Sequence, residues 1–221
     1  MGTMSIVTYI DRMGTDLSVA NAARVSFGKT SEMDTSDVWG PPTLKDRDAK
    51  LIKYLADHRH ISPFGHCFAS FHIKSPVFVA RQLVKHKFLR WNEISRRYVS
   101  NKPEFYKPQL REASLDKKQG SGDDMEDSVL DAVITQSGIE AAKQYTYLLA
   151  RGVCEEQARM VLPTSLMTEW YWSGSLDAWA DMCRLRCAPD TQLETRVVAD
   201  QISQKMEELF PVSWKALLCS Q

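Results

Sequence analysis

The sequence predicts an α+β fold, with a mixed, largely antiparallel sheet flanked by helices in a single domain spanning residues 1–221. Three observations lead there. Residues 67–74 alternate, with Cys67, Ala69, Phe71 and Ile73 on one side and Phe68, Ser70, His72 and Lys74 on the other. Longer stretches carry apolar residues at helical spacing. No internal repeat divides the chain, and its 221 residues suffice for one sizeable core.

The elements follow in order. Residues 5–10 read as a short strand, and Asp16 caps a helix running through Ala22 and Arg24. Residues 26–42, rich in Gly, Ser, Thr, Asp and Pro, read as a loop. Thr43 caps the next helix, whose Leu44, Leu51, Ile52 and Leu55 share a face. Pro63 and Gly65 rule out regular helix over 59–66, and the strand at 67–74 comes next. Pro76 suits the first turn of a helix striped by Val77, Ala80, Leu83 and Val84 and running to about His86. Residues 114–127, polar and containing Gly120 and Gly122, read as a mobile surface loop. A long helix then reaches Ala150 and stops at Gly152. A short helix over 155–161 ends at Pro163, an aromatic-rich strand covers 166–172, and two helices cover 176–187 and 192–210. Trp170, Tyr171 and Trp172 are expected mainly in the core.

Composition excludes several classes of function. Lys plus Arg and Asp plus Glu number 28 each, so no global charge draws the chain to nucleic acid or an anionic membrane. No apolar run is long enough to span a bilayer, and the first residues lack a signal-peptide pattern, so a cytoplasmic protein is expected. The five cysteines form no Cys-x-x-Cys pair, which suggests neither a disulfide framework nor a metal site. Cys183 and Cys187, one turn apart, read as small apolar side chains on one helix face.

The chemistry concentrates between Arg81 and Tyr98. This stretch holds six Lys or Arg and a single acid, Glu93. Arg81 with Lys85, and Gln82 with His86, stack on one face if the helix continues through them. Such a cluster can bind phosphate through charge-assisted donors, and charge alone leaves a solvated basic face equally open. The dense polar set Asn92, Glu93, Ser95, Arg97 and Tyr98 directly after it favours a site.

Lys85-His86-Lys87, seven residues and Ser95, closed by Asn92-Glu93-x-Ser95-x-Arg97-Tyr98, resembles the signature of the flavin-dependent thymidylate synthases. That family writes it Arg-His-Arg, seven residues, Ser. Three other blocks resemble the family in the same order: Ala22 to Phe27; His60-x-x-Pro63-Phe64-x-His66; and Ala158-Arg159-x-Val161-Leu162-Pro163, followed by Leu185-Arg186 and Gln192. Together they span roughly residues 14–211.

The resemblance implies conversion of dUMP to dTMP. Methylenetetrahydrofolate would supply the carbon, reduced FAD the hydride, and NADPH would re-reduce the flavin. It implies a homotetramer with active sites between subunits. By position Arg186 resembles the catalytic arginine, a fixed cation beside a pyrimidine ring that gains negative charge. A helix-surface arginine near a helix C-terminus is the other reading of that residue. Gln82, Lys85, Glu93, Ile94, Ser95, Arg96, Arg97, Arg159 and Arg186 match dUMP-binding positions. Ser62, Lys85, His86, Lys87, Glu93, Ser175 and Asp181 match FAD-contacting positions, and His60 and Tyr98 fall where folate and flavin meet.

The chain departs from the family pattern at several places. Lys85 and Lys87 replace arginines, Gly65 stands where glutamate is frequent, and Ser175, Asp177 and Asp181 stand where Asn, Arg and Asn are common. Arg96 replaces a small residue. Two alternatives accompany the main reading. One is hydroxymethylation of the same nucleotide on the same fold. The other is a nucleotide- or RNA-binding relative without chemistry.

Overall fold

The computed structural model describes residues 5–114 and 120–220. Among these residues four strands, β1 (Ile6–Met13), β2 (Phe68–Pro76), β3 (Arg90–Glu93) and β4 (Met167–Ser175), form a sheet in the order β1-β2-β4-β3. All three pairings are antiparallel. Phe71 faces Trp172 across the central pair, and Trp91 faces Trp172 from the other side, so aromatic residues meet at the middle of the sheet.

Among the described residues eight helices surround it: α1 (Asp16–Arg24), α2 (Asp46–Asp57), α3 (Val77–Leu83), α4 (Ser128–Ala150), α5 (Glu155–Ala158), α6 (Leu176–Arg186), α7 (Leu193–Leu209) and α8 (Pro211–Cys219). The buried face of β2 carries Ala69, Phe71 and Ile73, as the alternation requires; Phe71 meets Trp179 of α6 edge-on, and Val198 and Ile202 of α7 belong to the same core. Trp170 and Trp172 are core residues, whereas Tyr171 between them points outward and is exposed. Trp91 stacks on Trp170 at 4.4 Å, and Trp179 meets Trp172 edge-on at 4.9 Å.

Several expected elements change in the structure. Thr15, not Asp16, stands at the N-cap of α1, and its N–H donates to Ser18 Oγ (3.1 Å). Asp16 instead accepts from the N–H groups of Val212 (3.0 Å) and Ser213 (2.8 Å), so its carboxylate caps α8 from across the fold. That last helix has little amphipathic pattern and was not expected. Helix α2 begins at Asp46 because Thr43 is held in a bridge with Asp34, which leaves Leu44 outside the helix. Pro76 is the last residue of β2 and the N-cap of α3.

Helix α3 is shorter than expected and ends at Leu83. Its buried side chains are Val79, Ala80 and Leu83, while Val84 is exposed. Lys85 and His86 therefore lie beyond the helix, and the expected stacking with Arg81 and Gln82 does not form. The chain turns into β3 through Phe88, whose φ of 68° is left-handed. Within 114–127, residues 115–119 lie outside the described residues, so the expected mobile loop is described only at its ends. There Arg111 and Asp124 bridge.

Candidate active site

Arg186 closes the last turn of α6 and reaches back to the end of α3. Its Nε donates to His86 Nε2 (2.9 Å) and its Nη2 to the Gln82 carbonyl (3.2 Å). Two acceptors fix the guanidinium plane, and among the described residues its remaining N–H groups have no partner. Gln82 in turn donates through Nε2 to Gln192 Oε1 (2.5 Å). Gln82, Lys85, Arg186, Gln192, Arg111 and Arg196 line a cleft of about 1010 Å³. Beneath it, Arg111 Nη2 meets Glu194 Oε1 at 2.7 Å in a largely buried ion pair.

His86 is an acceptor here, so it must be neutral. Burial first and the Arg186 charge second push its pKa down from 6.5 to about 4. An unfolded His86 takes up a proton as the pH falls through about 6.5, whereas the folded one resists until about 4. The folded state should lose stability progressively across that window. Melting curves between pH 7.5 and 4.5 test this: His86→Gln, which keeps an acceptor without titrating, should be less acid-sensitive than the native chain. Equal slopes would show that His86 does not carry the effect.

A second cleft, of about 610 Å³, holds Glu93, Ile94, Ser95, Arg96 and Arg159, together with Arg81 and Thr168. Glu93 is held on both oxygens, accepting from Thr168 Oγ1 (2.6 Å) and Trp91 Nε1 (3.1 Å). Such fixing of a carboxylate suits recognition more than proton transfer. Arg97 pairs with Glu156 at 2.5 Å, and Arg159 Nε donates to the Glu156 carbonyl (3.3 Å), so the two arginines converge on one short helix. Tyr98 lies under the Arg97 guanidinium at 5.5 Å and is otherwise exposed.

The remaining expected residues gather elsewhere. Ser62 opens a short 3₁₀ turn, and Asp181 pairs with Arg184 on α6. Asp177, Asp181, Arg59 and Arg184 line a cavity of about 430 Å³, and the buried Asp177 Oδ1 has no hydrogen-bond partner among the described residues. His60 packs edge-on to Tyr54 (6.0 Å), over which His58 stacks (4.0 Å). Ser175 ends β4 beside Gly174 and pairs in register with Phe68.

The structure thus brings Gln82, Lys85, His86 and Arg186 together, and separately Glu93, Ile94, Ser95, Arg96 and Arg159. It does not join these sets within one chain. Sequence reasoning left out Arg111, Arg196 and the Gln192 side chain as cleft residues. Arg111 and Arg196 carry no local signal, since only the approach of Arg111 to α7, where it meets Glu194, makes them neighbours. Tyr54 and His58 were findable, being four apart on one helix face. Among the described residues no helix is long and apolar enough to cross a membrane.

The model of a family described as thymidylate synthase complementing protein matches residues 8–212. A flavin-dependent thymidylate synthase of Thermus thermophilus is 40% identical over 212 residues, covering 95% of this chain and 74% of its own. Another, of Kosmotoga olearia, is 37% identical over 216 residues, covering 96% and 89%. Among solved structures, a UMP/dUMP methylase, PolB from Streptomyces cacaoi bound with 5-Br dUMP, superposes with a TM-score of 0.83. It is 30% identical, and the match covers 98% of this chain and 95% of that one.

Proposed function

The chain belongs to the flavin-dependent thymidylate synthase family, and on that premise we propose that it forms dTMP from dUMP by reductive methylation. Methylenetetrahydrofolate is the carbon donor, and NADPH serves as reductant. The observation that carries the reading is Arg186, a guanidinium held by His86 and the Gln82 carbonyl at the edge of a cation-lined cleft. Its other N–H groups can bind a pyrimidine edge and stabilise negative charge as it develops on the ring. Lys85, Arg97 and Arg159 supply cations for the 5′-phosphate, and Ser95 supplies a hydroxyl donor. Glu93, fixed on both oxygens, orients the sugar side of the nucleotide.

The residues present fit a flavin dinucleotide, with one change of role. Lys85, Lys87 and the hydroxyls of Ser62 and Ser175 are donors for a diphosphate. Asp177 and Asp181 cannot bind phosphate, but a carboxylate lining this cavity can accept from a ribose hydroxyl. The charge reversal at Asp177 therefore reassigns that corner from phosphate to sugar. When bound, the reduced flavin supplies a hydride. His60, beside Tyr54, and Tyr98 offer ring faces for the folate.

Two observations support assembly of the site from more than one copy. The expected nucleotide set is divided between two clefts within one chain. Helix α4 also leaves Val129, Val133, Ile139 and Tyr147 exposed on its surface, as a helix does when a partner covers it. A homotetramer satisfies both, with the chain as one cytoplasmic domain.

Mass analysis of the product made from dUMP, methylenetetrahydrofolate, FAD and NADPH tests the assignment. The expected product is dTMP. Hydroxymethyl-dUMP would move the chain to the related chemistry, and no product would leave a nucleotide binder. UMP belongs in the same assay, because the PolB structure is described as that of a UMP/dUMP methylase.

A further inference from the structure

Phe88 combines two unfavourable features. Its backbone is left-handed, with φ of 68°, which strains a bulky residue, and its side chain is 81% exposed. Strain of this kind persists where the surrounding structure enforces it, and here it does. Leu89, the next residue, is buried, and its side chain lies over Gly174 of β4. A Cβ added at Gly174 would sit 2.3 Å from Leu89 Cδ2 and 3.3 Å from the Phe88 carbonyl oxygen. The glycine lets the corner between α3 and β3 press against β4, and the corner turns the Phe88 ring outward.

The residues that flank Phe88 in the chain are cationic. Lys85 and Lys87 precede it, Arg90 follows, and all three are exposed. Arg90 pairs with Ser173, which places the corner at the Gly174–Ser175 end of β4. An exposed aromatic face flanked along the chain by exposed cations suits a ligand that is planar and aromatic in one part and anionic in another. We propose that Phe88 is a stacking residue for a ring of the flavin dinucleotide. This rests on the flavin reading above and adds a residue to it.

Glycine accepts a φ of 68° without strain, so one substitution separates the two roles. Flavin-free Phe88→Gly should melt at or above the native temperature and yet bind FAD about ten-fold more weakly, the size of a lost stacking contact. Phe88→Ala should lose the same affinity, while Phe88→Trp should stay within about three-fold of native. FMN titrated in parallel identifies the ring. Equal loss for FMN and FAD points to the isoalloxazine, and loss for FAD alone points to adenine. Native-like FAD affinity in Phe88→Gly overturns the stacking role. So does a smaller assembly by light scattering, which would make Phe88 a subunit contact. If the native protein binds no FAD, the flavin reading fails and takes this inference with it; native binding that Phe88→Gly leaves intact removes only the stacking.

Discussion

Arg186→Ala is expected to reduce dTMP formation by at least about 100-fold while leaving the protein folded and able to bind flavin. The guanidinium is anchored through Nε to His86 and through Nη2 to the Gln82 carbonyl, both part-buried contacts at the rim of an open cleft. Water can replace it at both acceptors, so removal leaves no sealed, unsatisfied group and the stability cost is small. What is lost is a cation already oriented before the ring becomes negative, and preorganisation of that kind acts mainly on turnover. Arg186→Lys separates charge from geometry. An ammonium cannot span His86, the Gln82 carbonyl and a substrate at once, so an intermediate rate is expected. Single-turnover assays, with flavin binding and melting followed alongside, distinguish these outcomes. Native turnover in the alanine variant would remove Arg186 from the chemistry.

The largest stability effect is expected at Asp48. Its side chain is fully buried, paired with Arg24 and accepting from Ser31 Oγ at 2.5 Å. Arg24 belongs to the N-terminal block matched at residues 22–27, so that block serves the fold by tying α1 to α2. Asp48→Ala leaves Arg24 without its partner and should cost about 3 kcal/mol, or about 10 °C in melting temperature for a chain of this size. The carboxylate also gives a pH signature. Burial alone would raise its pKa, but hydrogen bonds from Ser31 and Arg24 and the charges of Arg24 and Arg47 reverse this and hold it below the usual carboxylate value. A depressed folded-state pKa stabilises the protein above the unfolded value, near 3.8, and that contribution is lost as pH falls through the folded one. Asp48→Asn should melt lower than native at pH 7, with the gap closing below pH 4. A gap that persists unchanged into acid would mean that shape, not charge, makes the contact.

Much of the fold and the identity of the chemistry were legible in the sequence. Alternation at 67–74 and helical spacing along 128–150, 176–187 and 192–210 gave the right elements, because those periods follow from local backbone geometry. The signature from Lys85 to Tyr98 is legible for the same reason, since its residues are neighbours in the chain. Local rules misplaced Asp16, whose carboxylate caps a helix 196 residues away, and extended α3 into Lys85 and His86. They also left Phe88 unremarked, since no propensity scale expects a phenylalanine to turn left-handed.

By itself, then, the sequence determined which groups this protein carries and the elements that bear them. Only the tertiary structure decided which groups meet. Arg186 reaches His86 across 100 residues because α6 and the end of α3 pack on the same core, and Phe88 turns outward because Gly174 admits Leu89 beneath it. Local periodicity acts over a few residues and can set which face of a helix or strand is apolar. Which faces then come together depends on burying the whole core at once, and the site is assembled by that burial.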